Sequence, residues 1–493
     1  MHIIEISIVL GYFIILVIIG EVVRKKTKNI SDYTVAGRNM GTFAVTCSII
    51  GLWLGGLSTI GISEMAYSQG LFPIFFNFSI AVGMVVLSFT VAKYYRKLNA
   101  VTVGDIIERL FSRRVKRFVS INFVIAAVIL VSLQLQAAGT LASSLFNVDN
   151  NIAIVVTGTV ILLYVTSGGM KSLAVTNIVH VILLYVTIFA SFVVVFSISG
   201  GFEGLGDLLN TGFVKEGLSV SEANQKEVLF MNPFSPGMDK AIAWFIGVFL
   251  AVFSTQASLQ PIFSSKNSEI AKRSSIISAL FIAPLGFMVS IIGVYARSIS
   301  TEIGIVNAKD AFPFVLMKSG HFSPIFAGLV SAGIFAAIIS TLAPTLFASS
   351  TIIVKDFIYG RGQEDNPKML KIGKIVTLTI GVLVIPFAIF FNKGILESAY
   401  FTYAIRCSST IIILLGLVRK FFKIKWIMND ISAILSVIFS ILGVGIYIVI
   451  PVEYLKTFQD NFGFFPDKVY FSLVSTVIGL VIGWGLTRMM EKK

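Results

Sequence analysis

One apolar stretch, residues 43–67, is long enough to cross a lipid bilayer but is interrupted at its centre by glycines. The interruption covers residues 51–56, with glycine at positions 51, 55 and 56, and Ser58 and Thr59 follow it. A glycine costs about 1 kcal/mol in a helix interior, so three of them favour an unwound backbone. Unwound backbone inside a membrane must be buried in protein or line a polar cavity. Carbonyls freed at mid-bilayer depth therefore predict a cation site here.

The rest of the chain is also built for a membrane. Of its 493 residues, 56% are hydrophobic and only 13% are charged, which excludes an ordinary soluble domain. About thirteen apolar segments approach or exceed the roughly 20 residues that cross a bilayer as a helix. They are 6–23, 42–66, 73–93, 118–146, 152–167, 172–198, 241–263, 274–296, 324–354, 373–391, 396–418, 426–451 and 469–488. The sequence therefore predicts an all-α integral membrane protein.

A net charge of +14 would suit a nucleic-acid-binding protein, but the distribution of the basic residues along this chain indicates a membrane protein instead. Most Lys and Arg lie in loops after odd-numbered segments, with runs at 24–28 and 113–117. Basic loops stay on the cytoplasmic side of the plasma membrane, so we expect an external N-terminus and a cytoplasmic C-terminus. The internal loop also contains an amphipathic helix at 103–110, expected to lie along the membrane surface.

The segments predict one membrane transport domain over residues 1–493. If segment 6–23 is peripheral, residues 42–198 and 241–418 form two sets of five spans, and residues 426–488 add further peripheral helices. An odd number of spans per set makes the second set inverted relative to the first. The first member of each set should be broken, and segment 241–263 offers Ser254-Thr255-Gln256-Ala257-Ser258 and Gln260-Pro261.

Segment 324–354 supplies a partner for the break at 51–56. Ala337, Ser340 and Thr341 share one helix face by their i, i+3, i+4 spacing. Their carbonyl and hydroxyl oxygens, with the carbonyls of Gly51 and Leu54, would give five neutral ligands, which suits a monovalent cation. The alternative is that the two hydroxyls bond to their own helix and assist packing.

Several motifs together resemble those of the sodium:solute symporters, the family of the bacterial proline, sialic acid and galactose symporters. The resemblance rests on Ser31-Asp32-Tyr33 with Ala36-Gly37-Arg38, residues 51–61, Gly168-Gly169, Gln256 and Gln260 with Ser264-Ser265-Lys266, residues 335–341, and Asp356-Phe357-Ile358-Tyr359. It implies a leucine-transporter-like fold with a 5+5 inverted repeat. It also implies one principal sodium site at the same five positions, namely Gly51, Leu54, Ala337, Ser340 and Thr341.

Two positions depart from the family pattern. Asn177 stands where many members have an Asp, and His180 stands where a Gln is usual. Without that carboxylate we expect one sodium ion per transport cycle. For His180 two interpretations stay open, a proton-handling role or a structural hydrogen bond inside the helix bundle.

Residues around the break also resemble the choline-carrier branch, in which a tryptophan at the position of Trp53 forms part of an aromatic cage. Glu64 belongs to the same match. Cation–π attraction explains why a quaternary amine would bind such a cage. The other cage positions hold Ile80, Leu130 and Thr255, so a quaternary amine is an alternative solute.

Arg406 lies inside the eleventh segment, and an arginine within the membrane is a functional-site candidate. It could hold a solute carboxylate through its forked guanidinium group. Alternatively it is a structural partner of Glu64 or of backbone carbonyls. The solute-site candidates are Arg406, Trp53, Ser58, Gln256 and Tyr403. Further polar side chains that could contact the solute are Thr59, Asn77, Gln134 and Gln136.

The sequence thus predicts a sodium-coupled symporter that imports a small organic solute, with a carboxylate-bearing solute preferred. We expect it to act as a monomer in the lipid bilayer, with sodium and the solute as its ligands and no nucleic-acid partner. The sequence has neither a phosphate-binding loop nor a nucleophile–base pair, which argues against an enzyme. An ion channel is the alternative from another class, because channels also use broken helices and carbonyls.

Overall fold

The fold follows from the apolar composition, because a backbone in hydrocarbon must pair its N–H and C=O groups internally. The computed structural model describes residues 3–24, 35–98, 100–165, 169–359, 367–390, 394–421 and 428–491. These ranges form helices without a β-strand. The α-helices are α1 (Ile3–Arg24), α2 (Thr42–Trp53), α3 (Ile62–Gln69), α4 (Ile74–Thr90), α5 (Ala92–Lys97), α6 (Val103–Leu110), α7 (Arg113–Phe146), α8 (Asn150–Val165), α9 (Gly169–Ile198), α10 (Gly201–Lys215), α11 (Val220–Met231), α12 (Met238–Val252), α13 (Gln256–Ser264), α14 (Ser268–Ser298), α15 (Ser300–Ile303), α16 (Ala311–Lys318), α17 (Pro324–Ile352), α18 (Pro367–Phe390), α19 (Ile395–Phe421), α20 (Asp430–Val449), α21 (Val452–Phe462) and α22 (Lys468–Glu491).

Eight of the described helices are long and apolar enough to cross a membrane, and two bent helix pairs raise this number to ten. The pairs are Thr42–Trp53 with Leu57–Gln69, and Met238–Val252 with Gln256–Ser264. Three shorter apolar helices, Ile3–Ile19, Ile74–Thr90 and Asn150–Leu163, coincide with further predicted segments. The prediction of an all-α multi-pass membrane protein is confirmed, whereas the count of thirteen spans stays a prediction.

The first bent pair is broken at the predicted glycines. Helix α2 ends at Trp53, and Leu54 leaves the helical region with φ −100° and ψ 58°. The chain resumes through a π-helical turn, Leu57–Gly61, which leads into α3 at an angle of 53° to α2. The Leu54 N–H still closes the last turn of α2 on the Ile50 carbonyl at 2.9 Å.

Close packing is a second reason for glycine at this break. A methyl group on Gly55 would overlap the Thr341 hydroxyl of α17. A methyl group on Gly56 would overlap Ala137 of α7. The glycines therefore permit both unwinding and the close approach of two other helices.

The second break separates α12 from α13. Helix α12 ends at Val252, and Thr255 adopts an extended backbone with φ −75° and ψ 105° before α13 begins at Gln256. The two helices meet at 41°. The break lies where residues 254–258 predict it. The two broken spans thus open the two predicted sets of five, although the inverted repeat itself stays a prediction.

Helix α17 is the central element of the bundle. Two features favour a helix start here. Pro324 lies in the first turn, and the hydroxyl of the N-cap residue Ser323 accepts a hydrogen bond from the Phe326 N–H. In the most apolar 18-residue stretch of the span Pro324–Tyr359, which includes α17, 83% of the residues are buried. The corresponding fraction for the span Lys468–Met490 of α22 is 28%. Helix α17 packs against α1, α2, α7 and α9. From Val330 to Ile352, every residue of α17 is buried in protein.

The segment 200–240, between the two predicted sets of five spans, contains two helices, α10 and α11. Two turns follow α11, with hydrogen bonds from the Ser235 N–H to the Asn232 carbonyl and from the Gly237 N–H to the Phe234 carbonyl. The segment is anchored to the end of the first broken span, because the Leu71 N–H donates to the Phe230 carbonyl. This contact fixes the C-terminal end of α3 against α11.

Candidate ion and solute sites

The predicted sodium residues on two distant segments meet in the folded chain. Ser340 Oγ lies 2.7 Å from the Gly51 carbonyl oxygen and 2.8 Å from that of Ala337. Thr341 Oγ1 lies 2.9 Å from the carbonyl oxygens of both Gly51 and Leu52. Neutral oxygens from α2 and α17 therefore share one small volume beside the break.

This cluster holds more oxygen acceptors than protons. Each hydroxyl has a single proton, so Ser340 and Thr341 cannot donate to all of their oxygen neighbours at once. A cation bound among these oxygens would use the lone pairs that lack a proton. The described residues contain no group of three His, Cys, Asp or Glu able to hold a metal ion. A neutral oxygen set of this kind fits a monovalent cation better than a divalent one.

Two other predicted residues lie next to this oxygen cluster. Leu54 lies at the end of α2, where the α17 hydroxyls contact the carbonyls of Gly51 and Leu52. Asn177 packs directly on Gly51, since a methyl group there would lie 3.3 Å from Asn177 Cγ. The Asn177 Oδ1 atom is buried and has no hydrogen-bond partner within the described part of the chain.

Side chains pair with the backbone groups that the break frees. Gln134 Oε1 accepts a hydrogen bond from the Gly56 N–H at 2.8 Å. Ser58 Oγ lies 2.8 Å from the Trp53 carbonyl oxygen and 2.9 Å from Asn77 Oδ1. The predicted solute residue Ser58 is fully buried and uses its hydroxyl to support the break.

A narrow cavity opens beside the break and extends between α7 and α17. The volume of the cavity is about 40 Å³. Four of the predicted solute residues line it, namely Trp53, Gln256, Tyr403 and Arg406, whereas Ser58 does not. The lining includes no acidic side chain. Residues from five separated parts of the sequence therefore meet at one cavity whose formal charge is positive.

The guanidinium group of Arg406 is buried at this cavity, with only 3% of the residue exposed. Its Nη1 donates to Thr255 Oγ1 at 3.0 Å and its Nε to the Thr402 carbonyl at 3.1 Å. The guanidinium carbon lies 5.1 Å from the centre of the Tyr403 ring. In the ranges that the structure describes, no carboxylate forms an ion pair with Arg406. The charge therefore has partial hydrogen bonding and a ring contact but no counter-ion.

Glu64 bonds elsewhere, so the structural alternative for Arg406 keeps only its backbone-carbonyl form, which the Thr402 contact provides. Glu64 Oε2 accepts a hydrogen bond from the Ile395 N–H at 2.8 Å. Ile395 is the first residue of α19, where a carboxylate is favoured by the helix dipole. Glu64 thus links α3 to the start of the helix that carries Arg406.

His180 forms a hydrogen bond with the peripheral first helix. Its Nδ1 lies 2.7 Å from the Tyr12 hydroxyl, and the residue is buried. This contact is the structural arrangement that one of the two interpretations requires. A proton-handling role for His180 stays an untested prediction.

Comparison with known proteins identifies the family. A model of the sodium:solute symporter family matches residues 33–423, which is more than half of the chain. The chain belongs to this family. It is therefore a membrane transporter that uses sodium as its co-transported ion, and not an enzyme. Two of the motifs that carry the resemblance, Ser31-Asp32-Tyr33 and Gly168, lie outside the described residues.

Solved structures share the fold at low sequence identity. A Na⁺-coupled sialic acid symporter, in a substrate-bound outward-open state, is 19% identical with a TM-score of 0.77. The alignment covers 99% of this chain and 98% of that one. Mhp1, a nucleobase-cation-symport-1 family transporter solved in a closed conformation, is 13% identical with a TM-score of 0.59. The alignment covers 93% of this chain and 94% of that one. The inward-facing structure of Mhp1 is 14% identical with a TM-score of 0.56, and the alignment covers 94% of this chain and 93% of that one.

In this symporter, Gln256 bonds to backbone as well as lining the cavity. Its Oε1 accepts from the Val103 N–H at 2.6 Å, and its Nε2 donates to the Val101 carbonyl at 3.0 Å. We name residues 101–110 the arm. The arm contains α6, the helix that the sequence predicts to be amphipathic. The apolar residues of α6 pack against α7 and α19, so protein covers them where lipid was expected.

A buried ionic cluster anchors the arm on its other side. Lys116 Nζ of α7 lies 3.0 Å from Asp105, 2.8 Å from Glu108 and 3.1 Å from Asp356. Only 2% of the Lys116 side chain is exposed. One buried ammonium group therefore joins two arm carboxylates to the end of the helix that carries Ser340.

Asp356 binds the arm and α7 through both carboxylate oxygens. Its Oδ1 accepts from Thr102 Oγ1 at 3.0 Å, and its Oδ2 accepts from Ser120 Oγ at 2.6 Å. A methyl group on Gly104 would overlap this carboxylate. The arm can approach α17 this closely only because residue 104 lacks a side chain.

Asp105 is charged at neutral pH despite its burial. Burial opposes ionisation, but the positive charges of Lys355 and Lys116 and hydrogen bonds from Lys116 and Val101 hold the pKa of Asp105 below its ordinary value. The cluster is thus ionic. The sequence analysis did not predict this ionic cluster. It could have been suspected from Lys116 and Asp356, two opposite charges that lie at the ends of apolar segments.

We expect Lys116→Met to destabilise the protein strongly, because three carboxylates would lose their shared buried counter-ion. Breaking a buried ion pair typically costs about 3–5 kcal/mol. The matched control is Lys215→Met, which removes the exposed pair with Glu302 and should cost about 0–1 kcal/mol. Thermal unfolding of both purified variants measures the difference. Equal small shifts in the melting temperature would contradict an ionic role for the cluster.

Proposed function

We propose that this symporter imports sodium together with a small organic carboxylate across the plasma membrane. The proposal places the N-terminus outside and the C-terminus in the cytoplasm, in agreement with the basic loops after odd-numbered segments. The observation that carries it is the buried Arg406 guanidinium at the cavity, which has no carboxylate partner among the described residues. A solute carboxylate would supply a counter-ion.

The energetic argument for a carboxylate is strong. A buried charge is expensive unless it is paired and fully hydrogen-bonded. Such a site gains most from a ligand that brings the missing negative charge with it. An arginine fork also suits the planar geometry of a carboxylate. Arg406 has its Nη1 and Nε held by Thr255 and Thr402, which orients the group towards the cavity.

A quaternary amine is the weaker alternative. Trp53 and Tyr403 provide two aromatic rings, but the Tyr403 face is already taken by the Arg406 guanidinium. A permanent positive charge at the cavity repels a second cation. The ion-channel alternative is set aside because the family consists of symporters.

For sodium, we propose the carbonyls of Gly51, Leu54 and Ala337 with the hydroxyls of Ser340 and Thr341. The Leu52 carbonyl lies in the same cluster and extends this set. When sodium is bound, the hydroxyl protons would turn away so that their oxygens face the ion. Sodium then ties α2 to α17 and holds the break in the shape that Trp53 needs at the solute cavity.

The arm gives a physical route from these sites to the cytoplasmic side. Gln256 holds the arm to α13, next to the solute cavity. Asp356 lies in the helical turn Ile353–Tyr359, directly after α17, and holds the arm to the end of the helix that carries the proposed sodium-site hydroxyls. Separation of α13 from α17 on the cytoplasmic side must break one of these two attachments. We propose that this step opens the inward path in the alternating-access cycle.

Replacing Ser340 or Thr341 by Ala should raise the sodium concentration for half-maximal uptake by roughly tenfold, equivalent to about 1.4 kcal/mol. Each change removes one oxygen from the proposed site and leaves the helix intact. Sodium titration of uptake in proteoliposomes measures the effect. Ser350→Ala is the control, because its hydroxyl bonds only to the Phe347 carbonyl of its own helix. An unchanged sodium requirement in the Ser340→Ala/Thr341→Ala double variant would remove the assignment.

Arg406→Gln should weaken binding of carboxylates by at least about tenfold while sodium affinity changes little. The neutral side chain removes the proposed counter-ion without adding a buried charge. The measurement is ligand-induced thermal stabilisation with a panel of carboxylates, sugars, amino acids and quaternary amines, in sodium and in potassium. Arg297→Lys, whose guanidinium pairs with Glu216, is the control. Sodium-dependent stabilisation by quaternary amines alone would reject the carboxylate proposal.

Gln256→Leu should loosen the inward path, because it removes both hydrogen bonds between α13 and the arm at nearly constant side-chain volume. A Ser349→Cys reporter in the cavity should then react several-fold faster with a membrane-impermeant thiol reagent added from the cytoplasmic side. Gln69→Leu, which removes only a contact with Lys240, is the control. Unchanged labelling with intact folding would exclude the arm as a closing element.

A further inference from the structure

Two buried hydrogen-bond donors at the cavity lack an acceptor. The Trp53 indole Nε1 and the Gln134 amide Nε2 are buried without a partner among the described residues. Both side chains line the cavity that holds Arg406. Each has an exposed fraction of 5% or less, so bulk water does not solvate them freely. Buried donors are nearly always paired in folded proteins, so this pair calls for an acceptor.

The orientation of the Gln134 amide is determined by its surroundings. Its Oε1 accepts from the Gly56 N–H at 2.8 Å. Exchanging the amide oxygen and nitrogen would place two donors against each other, so the nitrogen must be the free end. That nitrogen lies close to the break, since a methyl group on Gly55 would be 3.1 Å from it. Gln134 therefore presents a donor, and not an acceptor, beside the break.

Most other polar side chains at the cavity already have partners. Thr255 Oγ1 donates to the Ala251 carbonyl, and Thr345 Oγ1 donates to the Thr341 carbonyl. Both ends of the Gln256 amide are bonded to the arm. The groups left for a ligand are thus the Arg406 guanidinium, the two neutral N–H donors and the Tyr403 hydroxyl, which can donate or accept. Donors outnumber acceptors in this set, so it favours a ligand rich in oxygen acceptors.

We propose that the transported carboxylate carries a second oxygen acceptor, a hydroxyl or keto oxygen, and that Gln134 and Trp53 bind it. The solute class is then the hydroxy and oxo acids, including sugar acids. Unsubstituted aliphatic acids would leave both donors unpaired. Amino acids would bring an ammonium donor to a cavity without an acidic side chain. This inference rests on the proposed carboxylate transport and specifies its substrate class.

The inference makes Gln134 a specificity-determining residue. A site that hydrogen-bonds a substrate oxygen rejects the analogue lacking it, because the protein donors stay buried and unpaired. Loss of the Gln134 donor should therefore reduce the discrimination between a hydroxy acid and its deoxy analogue. It should leave affinity for the deoxy analogue nearly unchanged.

The experiment compares matched acids of several sizes by thermal stabilisation of the full-length protein in sodium. The pairs are lactate with propionate, 2-hydroxyhexanoate with hexanoate, and gluconate with hexanoate, and alanine represents the amino acids. In the native protein the oxygenated acid of at least one pair should bind at least about tenfold more tightly than its partner. Alanine should bind no better than propionate.

In Gln134→Leu this ratio should fall to about threefold or less. Gln136→Leu is the matched control, because Gln136 lies on the same helix and donates to the Ala388 carbonyl away from the cavity. If Gln134→Leu fails to fold, Trp53→Phe removes the second donor while keeping an aromatic ring, and it should lower the ratio as well.

The outcomes separate this inference from the carboxylate proposal. Equal binding of the two acids in every pair by the native protein would overturn the inference and leave carboxylate transport intact. A preference that survives both Gln134→Leu and Trp53→Phe would overturn it too, since water would then be the partner of these donors. Failure of every carboxylate to bind, with a hit among neutral or cationic solutes, would reject both.

Discussion

A helix broken inside the bilayer constrains the whole molecule, because every backbone group that it frees must find a partner without water. The partners come from different places. The Gly51 carbonyl faces the hydroxyls of α17, the Gly55 carbonyl accepts from Thr59, and the Gly56 N–H donates to Gln134 of α7. Satisfying the break thus brings α7 and α17 against α2. The proposed ion site and the proposed solute cavity lie where these three helices meet.

The sequence was sufficient for features that obey local rules. Glycine clustering located the break at 51–56, and the hydroxyl spacing on segment 324–354 identified Ser340 and Thr341. Helical periodicity places i, i+3 and i+4 on one face whatever surrounds the helix. The alternation of basic loops and the length of the apolar segments similarly predicted an all-α membrane protein, because bilayer thickness leaves few other solutions.

The sequence was insufficient where a side chain has several chemically equal partners. Gln256 was predicted to contact solute, but it also bonds to an arm 153 residues earlier in the chain. Glu64 and Arg406 carry opposite charges, yet Glu64 binds the start of α19. Lys116 finds Asp356 only because α7 and α17 run side by side. Such pairings depend on tertiary placement, which neither composition nor spacing specifies.

The position of Gln256 links two properties that are usually considered separately. One face of this amide lines the cavity proposed for the solute, and its two polar atoms bind the arm, which is the segment proposed to close the cytoplasmic side. Enlarging the cavity at this point would also loosen the arm. If the arm closes the inward path as proposed, a substitution at residue 256 that admits a larger solute would also let ions pass without solute. A substitution at the α7 residues that line the cavity would leave the contacts of Gln256 with the arm intact.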